Sequence, residues 1–174
     1  MSPSGIFLID MVLGYLNWAI IIATYVWPRL KVTDRVEAHR ATAAFNSFRF
    51  FGLVFLLPGV VGPNLPGGWA AAAAYGDLAT GVLAILALLA VRKRFLFWSF
   101  IWAFNIVGLA DIIIDTAAAV RIDLPSIAGQ LGAGYAIPML YVPALFWLHI
   151  VALRLLLRPE RASNRLPEFS GVRA

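Results

Sequence analysis

Residues 69–120 read WAAAAAYGDLATGVLAILALLAV-RKR-FLFWSFIWAFNIVGLADIIIDTAAAV. Two apolar runs, Trp69 to Val91 and Phe95 to Val120, flank the basic triplet Arg92, Lys93 and Arg94. A helix needs ~20 residues to cross the ~30 Å hydrocarbon core of a bilayer, and each run is that long. Three basic residues between two such runs form a cytoplasmic turn under the positive-inside rule. This stretch predicts an antiparallel pair of transmembrane helices.

The same pattern extends in both directions. Apolar runs span about 5–27 and 42–61 before the pair, and about 130–157 after it. The expected fold is an all-α integral membrane protein, a bundle of five transmembrane helices over residues 1–158. The last run contains Pro138 and Pro143, each of which removes a backbone donor and should kink it. Its start falls between Ser126 and Tyr135, and residues 126–134 are either part of the helix or a separate surface or re-entrant piece. Residues 159–174 are polar, basic and broken by Pro167 and Gly171, and are read as a disordered tail.

Charge sets the expected orientation. Arg29, Lys31, Arg35 and Arg40 follow the first run. Arg154, Arg158, Arg161, Arg165 and Arg173 end or follow the last. With the triplet, twelve of the fourteen Lys and Arg residues fall on one side; the other side carries Arg121, and Arg49 lies within the second run. The N-terminus is therefore expected outside and the C-terminus in the cytoplasm, in the inner membrane of the cell. The first run has no basic flank before it and contains Asp10, so it is read as a span and not as a cleaved signal peptide.

Composition narrows the chemistry. The chain is 61% hydrophobic and 13% charged, against about a quarter charged in soluble domains. Its net charge of +5 resides in topology signals, so nucleic acid is not an expected partner; the bilayer is. There is no cysteine, which removes thiolate metal sites and cysteine nucleophiles. Both lysines, Lys31 and Lys93, lie at the basic end, so a buried retinal Schiff base is excluded. His39 and His149 fall at different depths and do not suit a bis-histidine haem. Walker, GxGxxG, GxSxG and HExxH motifs are absent. No cofactor and no metal are expected.

Function, on this reading, lies in polar residues inside the apolar runs. On a 100° wheel each run gathers its small and polar residues on one face: Asp10, Gly14, Asn17 and Thr24; then Thr42, Asn46, Arg49, Gly52 and Gly59; then Ala70, Ala73, Asp77, Thr80, Gly81 and Ala84; then Asn105, Gly108, Asp111 and Asp115. The last run carries a looser stripe of Gln130, Gly134, Pro138, Tyr141 and His149. Small residues on such faces serve close helix packing, and the stripes are candidate contacts for a homo-oligomer or a partner subunit. The charged residues call for more, because a charge at the bilayer centre costs at least ~2.5–3.5 kcal/mol and faces a bundle interior or a wet cavity.

Asp77 lies 15 residues before the basic triplet and Asp111 lies 17 after it, so their depths agree within ~3 Å at 1.5 Å per residue. They are expected to converge, with Arg49 as counter-ion. The candidate ligand- or ion-binding set is Asp77, Asp111, Asp115, Asp10, Asn17, Asn105, Arg49, Tyr141 and His149. His149 is expected well below the acids. The carbonyls of Gly134 and Met139, freed by the prolines, are expected to face the site.

Three functions compete. The first is binding or translocation of a small ligand, a proton or a cation. The second is an accessory or scaffold subunit, in which the polar residues serve assembly. The third is an intramembrane acid–base enzyme of isomerase or cyclase type, with a protonated Asp as general acid.

Overall fold

The computed structural model describes residues 1–158; they are predominantly helical, joined by short turns and loops, with no β-strand among them. The tail read at 159–174 lies outside the described residues. Four helices are long and apolar enough to cross a membrane: α1 (Pro3–Leu30), α3 (Gly67–Leu89), α4 (Arg94–Arg121) and α5 (Ile137–Leu156). Between α1 and α3 lie α2 (Arg35–Asn46) and a 3₁₀ helix (Ser47–Leu56). A second 3₁₀ segment (Leu124–Tyr135) joins α4 to α5.

Local chemistry explains the boundaries. Ser2 caps α1 by accepting from the Gly5 amide, and Pro3 opens it, a position that suits proline because its missing N–H would be unpaired there anyway. Asp34 caps α2 through the amides of Val36 and Glu37. Two π-helical turns, Ile22–Val26 and Ile137–Tyr141, lie next to prolines. Pro143 has no N–H for the Met139 carbonyl one turn earlier.

The last long apolar helix begins at Ile137 and not near Gln130. Residues 124–135 form a separate folded cap, with non-helical backbone at Ile127 and Gly132. The cap is tied to the loop after the first 3₁₀ helix. The Gly62 amide donates to the Gln130 carbonyl at 2.7 Å, the Asn64 amide to Gln130 Oε1 at 3.1 Å, and the Ala133 amide to the Val60 carbonyl at 3.2 Å. A Cβ at Gly132, which has φ +52°, would run into the Val60 carbonyl.

The second apolar run does not form one α-helix over 42–61. It changes winding at Asn46. In a 3₁₀ helix side chains three apart eclipse, and Asn46, Arg49, Gly52 and Phe55 form one buried line. That line packs on α3, which also packs on α2 and on α4. The buried face of α3 is the small and polar one: Ala70, Ala73, Asp77, Thr80, Gly81 and Ala84.

The core has two ends. One cluster, around Phe7, Phe55, Leu124 and Ile137, sits beneath the cap. Two others, around Phe97, Ile101 and Phe104 and around Ile22, Leu148 and Val151, fill the basic end. Polar residues occupy the level between them.

Candidate functional site

The 3₁₀ helix points Arg49 into the centre of the bundle, where it is 1% exposed. Its Nε donates to Asp77 Oδ1 at 2.6 Å, and its Nη2 lies 2.6 Å from the same oxygen. Nη2 also donates to Asp111 Oδ2 at 2.5 Å. Nη1 donates to the Gly108 carbonyl at 3.1 Å and faces His149 Nε2 at 3.3 Å. One guanidinium thus joins the 3₁₀ helix, α3, α4 and α5.

Hydrogen-bond logic fixes the histidine. An Arg N–H can only donate, so Nε2 of His149 accepts. Its Nδ1 then carries the proton and donates to Asn105 Oδ1 at 3.0 Å. Asn105 Nδ2 in turn donates to the Ile101 carbonyl at 2.8 Å. The relay is satisfied from end to end with a neutral imidazole.

Glycines make room for it. A Cβ at Gly52 would strike the Asp77 carboxylate, one at Gly76 the Asp111 carboxylate, and one at Gly108 both Arg49 and His149. Gly76 was absent from the sequence reading, although its position directly before Asp77 is the signal that could have found it.

Above the cluster, toward the cap, opens a cavity of about 150 Å³. Asp77, Asp111 and Arg49 form its polar end, and Asp115 lines it one turn further along α4. The walls are mainly apolar, with Phe7, Met11, Phe55, Trp69, Ile112 and Ile137 among them. Trp69 Nε1 donates to the Asp115 carbonyl at 3.2 Å, and its ring meets that of Phe55 edge to face at 5.6 Å. Trp69, at the start of α3, is thus a wall of the cavity.

The nine expected residues separate into groups. Arg49, Asp77, Asp111, Asn105 and His149 form the cluster. His149 is not far below the acids, because the long Arg49 side chain bridges the levels. Asp115 belongs to the cavity. Asp10 stands at the cap, where it accepts from the Tyr135 hydroxyl at 2.8 Å; burial and this carboxylate push the Tyr135 phenol up to about 12. Tyr141 turns away and donates to the Phe45 carbonyl at 3.2 Å, where the winding changes. Asn17 is exposed on α1 and stands apart from the cluster. The carbonyls expected to face the site do not line the cavity: Met139 packs its carbonyl against Gly14, and Gly134 packs against Phe55.

One family matches the chain, described as Domain of unknown function (DUF8737), over residues 6–157. The chain belongs to this family. The match takes in α1 to α5, and with them every residue of the DUF8737 cluster and cavity. No curated protein and no solved structure matches the chain.

Proposed function

We propose that this DUF8737 protein is a five-span protein of the inner cell membrane, N-terminus outside and C-terminus in the cytoplasm, that binds a small amphipathic molecule drawn from the bilayer. The fifth span is the composite of α2 and the 3₁₀ helix. At ~1.5 and ~2.0 Å rise per residue its two parts are long enough together to cross the hydrocarbon core.

The observation that carries this reading is the cavity itself: apolar walls that end on a buried Asp77–Arg49–Asp111 cluster. Pre-formed apolar pockets with a few convergent polar groups are the usual form of small-molecule sites. Binding is favoured over passage. Beneath the cluster, Phe97, Ile101 and Phe104 are essentially inaccessible and fill the basic end.

The test compares the wild-type protein with Ala73→Leu, which places a larger side chain in the cavity wall. Both are purified in the same detergent, extracted with organic solvent and analysed by mass spectrometry. A small amphiphile enriched in the wild type and depleted in the variant is the expected result. Identical extracts would sink the binding reading and leave the accessory-subunit reading in its place.

A further inference from the structure

Arg49 has five N–H groups, and the cluster uses them all: on Asp77 twice, on Asp111, on the Gly108 carbonyl and on His149. None remains for a ligand. Two other potential donors on the wall are engaged as well. Trp69 Nε1 is bound to the Asp115 carbonyl, and the Thr116 hydroxyl donates to the Ile112 carbonyl at 2.7 Å. The Tyr15 hydroxyl, which can donate or accept, is the neutral polar group left on the wall among the described residues. What the cavity chiefly offers a guest is carboxylate oxygen.

Charge points the same way. Asp77, Asp111 and Asp115 all line the cavity, against one guanidinium. An anionic guest would be repelled, and a carbonyl would find little to accept from. An ammonium would be attracted by the excess carboxylate, and the rings of Phe7, Phe55 and Trp69 would present it with further negative faces.

Resting on the binding reading above, we infer that the ligand is a membrane-partitioned amine, its ammonium head held by Asp115 and Asp111 and its apolar body by the aromatic wall. Size and access agree. A core cavity of about 150 Å³ takes a guest about as large as a benzene ring. Leu8 of α1 and Val120 of α4 lie on its rim and are 48% and 73% exposed. Helix α1 packs on the cap and on α5 and makes little contact with α4. A longer tail therefore leaves sideways, between α1 and α4, into lipid.

The experiment uses four probes of one length: hexylamine, 1-hexanol, 2-hexanone and hexanoate. Each is titrated against the full chain in nanodiscs, with empty nanodiscs subtracted, and followed by saturation-transfer NMR. Hexylamine is expected to bind about tenfold tighter than hexanol, the least that one charge-assisted hydrogen bond supplies, with hexanone and hexanoate weaker still. Asp115→Asn should remove the amine preference, and Asp115→Glu should restore it. Ala119→Phe, which fills the wall, should abolish all binding. Equal binding of the four probes, or preference for the ketone or the acid, overturns the amine inference while the cavity reading stands. Binding of every probe unaffected by Ala119→Phe overturns the cavity reading itself. The ranking on wild-type protein decides the ligand class even where a variant does not fold.

Discussion

Replacing Arg49 with Met removes the only cation of the cluster and keeps roughly its length. Asp77 and Asp111, with side chains only 7% and 11% exposed, then face each other without a counter-ion, and Gly108 and His149 each lose a donor. Removing one partner of a buried ion pair costs about 3–5 kcal/mol, because the remaining charge stays desolvated. For a chain of this size ~1 kcal/mol moves the melting temperature by ~2–4 °C, so a fall of roughly 6–20 °C is expected. Thermal melts of detergent-solubilised protein, read by size-exclusion fluorescence, measure it. The triple variant Arg49→Met/Asp77→Asn/Asp111→Asn removes the stranded charges and should recover about half of the loss. A single variant that melts within about 2 °C of wild type, or a triple variant no better than the single, would refute the view that Arg49 is there to neutralise two buried carboxylates.

Two further outcomes are expected. Gly76→Ala drives a Cβ into the Asp111 carboxylate and should cost ~1–3 kcal/mol by overpacking, whereas Gly68→Ala, with nothing within 4 Å, should be neutral or slightly stabilising; both are read by the same melts. Reporter fusions after Leu65 and after Asp123 should report the outside, and fusions after Arg94 and at the C-terminus the cytoplasm; a cytoplasmic signal from the 62–68 loop would remove the crossing made by α2 and the 3₁₀ helix.

Sequence periodicity was most informative where winding is regular and packing is close on one face. The depth match of Asp77 and Asp111 follows from counting outward from a three-residue turn, and both carboxylates meet on Arg49 because α3 and α4 are unbroken α-helices on either side of that turn. The wheel misleads where its 100° step does not hold. The wheel gathers Asn46, Arg49 and Gly52 but turns Phe55, the next residue of the same three-residue 3₁₀ repeat and equally buried, away from them. It also misleads on α1. Turning every polar face inward assumes that every helix is surrounded by protein, yet only Phe7, Gly14 and Ile22 of α1 are buried, so Asn17 and Thr24 face outward. The Met139 carbonyl packs against Gly14 and not toward the cavity, a contact that depends on a packing distance no periodicity encodes.

In the proposed crossing by α2 and the 3₁₀ helix, the 3₁₀ winding would link the cavity to bilayer thickness. Ten residues, Ser47–Leu56, span about 20 Å at the 3₁₀ rise and about 15 Å as α-helix. Over the six residues from Arg49 to Phe55 the two windings differ by about 20° per residue, or ~120° in all. A segment rewound as α-helix would therefore shorten by ~5 Å and carry Phe55 away from the line that now holds it above Arg49. A bilayer too thin for the extended form, which membrane proteins otherwise meet by tilting or by distorting lipid, would press on the one element whose length and cavity wall change together.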